Sequence, residues 1–271
     1  MLQASTTFRS QPGRSASLIS SSHPIPHPSF CRLILYHIPL FVVSSYTTSL
    51  STLLRSHEGL RARPPPSRPN VLVVAQPATP RYAKLPHTKD EGERIGTILT
   101  DSTPTLLIDK AATVVDTTAA LRLCTWVHLA CHGYQNTEDP TKSAFALVDN
   151  PLTLGALMSA TAENAELAFL SACETAVGDE KNPEESVHLA AGMLAVGFKG
   201  VVATMWSIYD VDAPVIVEAY YRKLLELRGS GKLAAGYTGA AYALHEAMKV
   251  LRERVGEEKF ERWAPFVHFG V

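Results

Sequence analysis

Short apolar segments alternate with helix-forming segments along most of this chain, and this alternation limits the folds that it can adopt. Five segments are predicted to be strands: Val71 to Ala75, Thr105 to Ile108, Trp126 to Ala130, Leu167 to Leu170 and Val201 to Met205. Strands that are apolar at nearly every position are typical of a parallel sheet covered by helices on both faces. The sequence therefore predicts an α/β fold with a mostly parallel sheet, and Phe266 to Phe269 is an edge-strand candidate.

The segments between these strands carry helix signals. Helices are predicted over Asp90 to Leu99, Ala112 to Leu123, Thr153 to Met158, Glu185 to Val196 and Tyr237 to Val255. Gly197 is a natural helix stop, and Asp212 can cap a helix that has Pro214 in its first turn and runs to Leu227. The polar segment from Gly178 to Pro183 predicts a loop.

The N-terminal part of the chain differs in composition from the rest. No Asp or Glu occurs before Glu58, while Ser, Thr, Pro and a few Arg recur. We expect residues 1–40 to be a disordered leader or the product of an incorrect gene prediction, although an acid-poor, Ser-rich leader also resembles an organellar transit peptide. Prolines mark a linker near residues 64–69, and we expect one large domain over residues 41–271.

The amino-acid composition limits the kinds of binding partner and the cellular compartment that we expect for this protein. Lys+Arg 25 against Asp+Glu 26 argues against nucleic acid, because phosphate binding needs concentrated positive charge. No membrane partner is expected, since the best apolar stretch, Phe30 to Val43, is short and contains Arg32, His37 and Pro39. Four cysteines in 271 residues do not suggest a disulfide framework, so a cytoplasmic location is expected. No phosphate-binding or dinucleotide motif occurs, and we expect no cofactor.

Two side chains that could take part in catalysis, His132 and Cys173, follow predicted strands. The third strand is followed by Cys131, His132 and Gly133, and the fourth by Ser171, Ala172 and Cys173. Ligands of such sheets bind beyond the carboxyl ends of the strands, and adjacent strands lie about 4.8 Å apart. If these two strands are neighbours, His132 can approach the Cys173 thiol as a base and later protonate a leaving amine. The N–H groups of Gly133 and Cys173 could form an oxyanion hole.

The cysteines and histidines near these strands also allow other interpretations. Cys124 and Cys131 are typical small core residues, and Cys131 should point away from His132 in an extended segment. His128 lies inside a strand, where a hydrogen-bonded core histidine is more common. A zinc site formed by Cys124, His128, Cys131 and His132 is disfavoured because side chains along a strand alternate between its two faces, so these four cannot converge on one ion. We therefore expect no metal.

Five further segments form an ordered set of motifs: Trp126 to Gly133, Leu167 to Ala176, His188 to Gly192, Gly197 to Ser207 and Trp263 to Gly270. Together they resemble the CHAT domain, a clan of caspase-like and separase-like proteins. Val42 to Thr47 resembles an earlier strand and turn of the same domain, so the likeness covers about residues 40 to 271. The block around Cys173 is similar to fungal members that usually carry upstream tetratricopeptide (TPR) repeats.

The resemblance implies a caspase-like sheet with His132 as the dyad histidine, Cys173 as the nucleophile and Gly133 as an oxyanion donor. It implies a cysteine endopeptidase that acts on protein or peptide substrates, often after basic side chains. Asp179, Asp210 and Asp212 follow strands and are candidates for an acidic substrate pocket. The alternative is a non-catalytic scaffold or signalling module with the same fold, and either function allows a regulatory protein partner.

Overall fold

The part of the chain that can be described is nearly the whole predicted domain. The computed structural model describes residues 42–63, 66, 68–100, 102, 104–136, 139–161, 163–171 and 185–271. The predicted leader and the predicted loop from Gly178 to Pro183 lie outside these residues.

Nine strands form within the described ranges. They are β1 (Val71–Ala75), β2 (Thr105–Ile108), β3 (Trp126–Ala130), β4 (Gly133–Tyr134), β5 (Ala144–Ala146), β6 (Pro151–Thr153), β7 (Leu167–Leu170), β8 (Gly200–Thr204) and β9 (Phe266–Gly270). Six of them make the main sheet in the order β2-β1-β3-β7-β8-β9, in which only β9 is antiparallel to its neighbour. The strands β4, β5 and β6 form a small antiparallel sheet. The predicted mostly parallel α/β sheet is confirmed.

Eight α-helices accompany these strands in the same ranges. They are α1 (Leu50–Ala62), α2 (His87–Ile98), α3 (Val114–Leu121), α4 (Leu154–Ala160), α5 (Glu185–Val196), α6 (Ala213–Gly229), α7 (Ala240–Val255) and α8 (Phe260–Trp263). Short 3-10 turns occupy Asp109–Ala111 and Pro140–Lys142. None of the helices in the described part of the chain combines the length and the apolar character needed to cross a bilayer.

The main sheet separates two hydrophobic cores because successive strand residues point to opposite faces. Leu72 and Val74 contribute to one core, together with residues of α3, α4 and α5. Val71 and Val73 contribute to the other, with residues of α2, α6 and α7. Every residue of β1, β3, β7, β8 and β9 is buried, which explains their apolar sequences.

Local signals set several element ends as predicted. The Thr153 hydroxyl accepts the Ala156 N–H at the start of α4. Helix α5 ends at Val196, and Gly197 has the left-handed φ of +124° that a C-terminal glycine supplies. Asp212 stands at the predicted N-cap of α6, yet its side chain makes no capping hydrogen bond because Arg262 engages the carboxylate.

Three elements, α1, β4 and β6, were not among those predicted from the sequence. Helix α1 begins at the cap residue Ser49, whose hydroxyl accepts the Thr52 N–H. Strands β4 and β6 have two and three residues, so they exist only through pairing with β5. The segment 42–47 contributes a single parallel bridge from Tyr46 to Phe269 rather than a full strand.

Candidate functional site

The carboxyl edge of the main sheet gathers the segments that follow four parallel strands. Residues 76–86 follow β1, residues 131–132 follow β3, Ser171 follows β7, and residues 205–212 follow β8. Because parallel strands end at the same edge, these segments share one side of the molecule. The predicted His132 and the predicted acids Asp210 and Asp212 all belong to this edge.

Strands β3 and β7 are direct neighbours in the main sheet, as the sequence hypothesis required. Their register pairs His128 with Phe169 and Leu129 with Leu170. The Ser171 N–H extends this ladder by donating to the Leu129 carbonyl at 2.9 Å. His132 lies two residues beyond the end of β3, and Cys173 lies outside the described residues.

The His132 imidazole is held in place by the segment that follows β1. His132 is only 2% exposed, and its Nε2 lies 2.8 Å from the carbonyl oxygen of Ala83. A carbonyl oxygen can only accept, so Nε2 carries the proton in this contact. The ring of Tyr82 stacks on the imidazole, with 4.9 Å between ring centroids and 24° between planes. The backbone hydrogen bond and the aromatic contact together orient the ring, as a hydrogen bond to the other ring nitrogen commonly does for a catalytic histidine.

The geometry of Gly133 suits a backbone donor at the end of β3. Gly133 pairs with Phe145 in an antiparallel ladder, and the Ala146 N–H donates to the His132 carbonyl at 2.7 Å. This bond makes Gly133 and Phe145 a non-hydrogen-bonded pair, in which the amides of the paired residues point away from the partner strand. The Gly133 N–H is therefore directed away from β5.

The two described acids of the predicted pocket have different surroundings. Asp210 accepts both the backbone N–H of His87, at 3.0 Å, and a ring contact from His87 Nδ1, at 2.9 Å, on its Oδ2 atom. The Asp210 side chain is 22% exposed. Asp212 is buried, and the Arg262 guanidinium donates to both of its oxygens at 2.7 and 2.5 Å. Asp179 lies outside the described residues.

The remaining candidate ligands of the disfavoured zinc site lie on different faces. Cys131 is fully buried in the core that contains Leu129, on the opposite face from His128. Cys124 precedes β3 at the other edge of the sheet, where burial raises the pKa of its thiol to about 11. His128 is fully buried, stacks on Phe169 and lies 3.2 Å from a carboxylate oxygen of Glu91. Within the described ranges, no three potential ligand side chains converge as a metal site would require.

Sequence reasoning missed the residues that surround His132 from the β1 side. Tyr82 and Ala83 follow the first strand, so the rule that found His132 also applied to them. Ala83 acts through its backbone carbonyl, a group that every residue has, so its residue type gives no signal of this role. Glu91, the buried carboxylate beside His128, resembles an ordinary surface residue of an amphipathic helix in the sequence alone.

These features define the class of protein: a caspase-like α/β fold with a histidine at the carboxyl end of a central strand. The CHAT domain model matches residues 36–271, and the chain belongs to this family. No protein with a curated description matches the sequence significantly.

Among solved structures, the chain is similar to separase in the Saccharomyces cerevisiae separase–securin complex. That match has a TM-score of 0.57 and 15% identity, and covers 90% of this chain and 15% of that chain. The Arg-specific cysteine proteinase gingipain R (RgpB) matches with a TM-score of 0.49 and 13% identity, over 74% of this chain and 46% of that one. The complex of Porphyromonas gingivalis RgpB pro- and mature domains matches with a TM-score of 0.48 and 12% identity, over 74% of this chain and 47% of that chain. The chain thus spans less than half the length of each of these structures, and at such identities the likeness concerns the fold alone.

Proposed function

We propose that this chain is a caspase-like cysteine endopeptidase in which Cys173 is the nucleophile and His132 its acid/base partner. The observation that carries the proposal is the direct pairing of β3 with β7, because His132 follows the first of these strands in the sequence and Cys173 follows the second. The carbonyl of Ala83 and the ring of Tyr82, which hold His132 at that strand end, give independent support.

The contact with Ala83 assigns roles to the two imidazole nitrogens. Because the Nε2–H group donates a hydrogen bond to the Ala83 carbonyl, Nδ1 is the nitrogen that exchanges a proton with the thiol. The carbonyl also stabilises the imidazolium that forms when the thiol loses its proton. A backbone oxygen thereby takes the orienting role that a carboxylate plays in other dyads and triads.

The proposed reaction has two stages. The Cys173 thiolate attacks the peptide carbonyl, and the N–H groups of Gly133 and Cys173 stabilise the oxyanion. The imidazolium of His132 then protonates the leaving amine, the C–N bond breaks, and an acyl-enzyme remains. Water attacks the thioester while His132 accepts its proton, the C–S bond breaks, and the thiol is restored as the carboxylic acid product leaves.

Substitution of the dyad tests this proposal. Cys173→Ala and His132→Ala should each lower kcat/KM on a peptide library by at least about 10³-fold, as dyad members act together. Cys124→Ala is the matched control, because this buried thiol lies at the opposite edge and should leave the rate unchanged. Equal cleavage by Cys173→Ala and the parent contradicts the assignment. Absence of cleavage by the parent, combined with an unreactive Cys173, favours the scaffold function.

The substrate preference proposed here is for a basic side chain next to the cleaved bond. Support comes from Asp210, whose partly exposed carboxylate is positioned by His87 at the carboxyl edge of the sheet. Asp179 stays a candidate for the same pocket, whereas the charge of Asp212 is already balanced by Arg262. Asp210→Asn should reduce cleavage after Arg or Lys more than cleavage after neutral residues. The same change at the exposed Asp90 of α2 is the control.

Regulation by a protein partner and the presence of upstream helical repeats stay predictions for this chain. The separase structure was solved with securin, which illustrates such a partner for that protein. Affinity capture with the Cys173→Ala variant, followed by competition with a peptide substrate, would test whether a partner covers the proposed site.

A further inference from the structure

A cavity of about 580 Å³ lies at the amino edge of the main sheet, between the segments that precede β1 and β2 and the C-terminal ends of α2 and α6. Sites for small organic molecules have volumes of roughly 300 to 1,000 Å³, so this cavity is large enough for one. His132 lies at the carboxyl edge, and the 12-residue helix α2, about 18 Å long, runs from that edge to the cavity. The cavity is therefore separate from the proposed active site.

Most of the cavity wall is aliphatic. Ile98 at the end of α2 and Leu225 of α6 pack against the hydrophobic core on this face of the sheet, yet both stay partly exposed. Leu60 of α1, Leu99 and Leu233 complete this part of the wall. An apolar ligand would remove the exposed parts of these side chains from water, which favours its binding.

The part of the wall formed by residues 231–237 is held against helix α1. Gly236 has a left-handed φ of +91°, and a Cβ at this position would lie 2.6 Å from Nε2 of His57 in α1. The ring of Tyr237 meets the His57 imidazole edge on, with 5.3 Å between the ring centroids. Only a glycine allows this close approach, so the wall is built into the fold before any ligand binds.

The charged side chains among the described lining residues are two arginines, Arg68 and Arg228, and no carboxylate belongs to that lining. Arg68 is exposed, and no acidic side chain in the described part of the chain pairs with it. Arg228 is only 14% exposed; its guanidinium lies 4.7 Å from the centroid of the Trp126 ring, and its Nη2 pairs with Glu166. Glu166 is buried and also accepts the Trp126 indole N–H at 2.9 Å. The surface that faces the cavity is therefore positively charged.

We propose that this cavity binds a small organic acid with an aliphatic body, whose carboxylate pairs with Arg68 and Arg228. The aliphatic wall matches the body of such a ligand, and the planar guanidinium groups match a carboxylate in charge and hydrogen-bond geometry. A cationic ligand is disfavoured because no acid of the described lining would balance its charge. A neutral apolar ligand would fill the same space without an anion for the arginines.

Calorimetric titration of the full chain with octanoate and with octan-1-ol tests the site. Octanoate should bind at one site with a dissociation constant below about 1 mM, and the alcohol at least about threefold more weakly, since it lacks the charge. Ala235 is an exposed residue of the wall, and Ala235→Trp should abolish binding of both by filling the cavity. Ala111→Trp, at an exposed alanine beyond the other end of β2, is the matched control and should bind as the parent does.

Three further variants test the charge and the place of binding. Arg68→Met should weaken octanoate about 3- to 10-fold and leave octan-1-ol within about twofold, while Arg254→Met at an exposed position of α7 should change neither. Glu166→Gln keeps an oxygen for the Trp126 indole and removes the charge that balances Arg228, so octanoate should bind more tightly. His132→Ala should leave octanoate binding unchanged.

Absence of saturable octanoate binding overturns the proposal, and so does binding that survives Ala235→Trp or disappears in Ala111→Trp. Equal affinities for octanoate and octan-1-ol, or an octanoate affinity that neither Arg68→Met nor Glu166→Gln changes, overturn the assignment of an anion. Loss of binding in His132→Ala would place the ligand at the carboxyl edge and also overturn it. If the melting temperature shows that tryptophan at position 235 disturbs the fold, Arg68→Met decides, because its side chain is exposed. None of these measurements depends on peptidase activity.

Discussion

Replacing Arg262 with methionine is expected to lower the free energy of unfolding by about 2 to 3 kcal/mol. The substitution leaves the carboxylate of Asp212, only 2% exposed, without the guanidinium that donates to both of its oxygens. Breaking a fully buried pair costs about 3 to 5 kcal/mol, but the Arg262 side chain is 24% exposed, so solvent screening reduces the cost. Loss of the guanidinium over the ring of Tyr209, at 5.2 Å, adds about 0.5 kcal/mol.

Denaturant titration followed by tryptophan fluorescence measures this loss, and thermal unfolding should show a decrease of about 4 to 10 °C in the melting temperature. Arg254→Met is the matched control, because Arg254 is exposed and its removal should change stability by less than about 0.5 kcal/mol. Adding Asp212→Asn to the Arg262 variant should restore part of the loss, since a neutral amide is less costly to bury than a carboxylate. A loss below about 1 kcal/mol, or one equal to that of the control, would refute the reasoning.

Three further predictions follow from single positions. Burial lowers the pKa of His268 to about 3, below its unfolded value, so the unfolded chain binds the extra proton first and stability should fall as pH drops below about 6.5. His268→Gln should flatten that dependence in denaturant titrations at pH 5 and pH 7; an unchanged slope would exclude this histidine as the cause. Gly270→Ala should destabilise the fold by at least about 3 kcal/mol, because φ at this position is +102° and the added Cβ would collide with the Lys199 carbonyl. Gly229→Ala is the control and should be tolerated, because a Cβ at position 229 has no atom within 4 Å. Tyr82→Ala should lower kcat/KM about 2- to 10-fold by freeing the proposed catalytic imidazole, and an unchanged rate would remove the ring from the site.

The sequence was most informative where one physical requirement dominated. The bounds of β1, β3 and β7 agree with the predicted strands, because each is a continuous apolar run that only a two-sided core can bury. The start and end of α5 also agree, since its Ala-rich segment stops at a glycine. Helix ends were less accurate where the signal was weak: α2 begins at His87, three residues before the prediction.

Part of the candidate site could be predicted because it depends on local placement. His132 follows a strand, so its position at the carboxyl edge required only the strand assignment. The contacts that orient it could not be found in this way. The Ala83 carbonyl has no residue-type signal, and the 2% exposure of His132 depends on how the segment after β1 folds over the sheet.

The sequence by itself determined which residues end the strands, since hydrophobic runs and their breaks are local properties. Only the tertiary structure decided that β7 lies beside β3, so that His132 and Ser171 follow neighbouring strands. It also decided that Glu91 is buried against Ser171 instead of facing water. Strand order and helix docking result from contacts between segments far apart in the chain, and such contacts are set by the packing of the whole core.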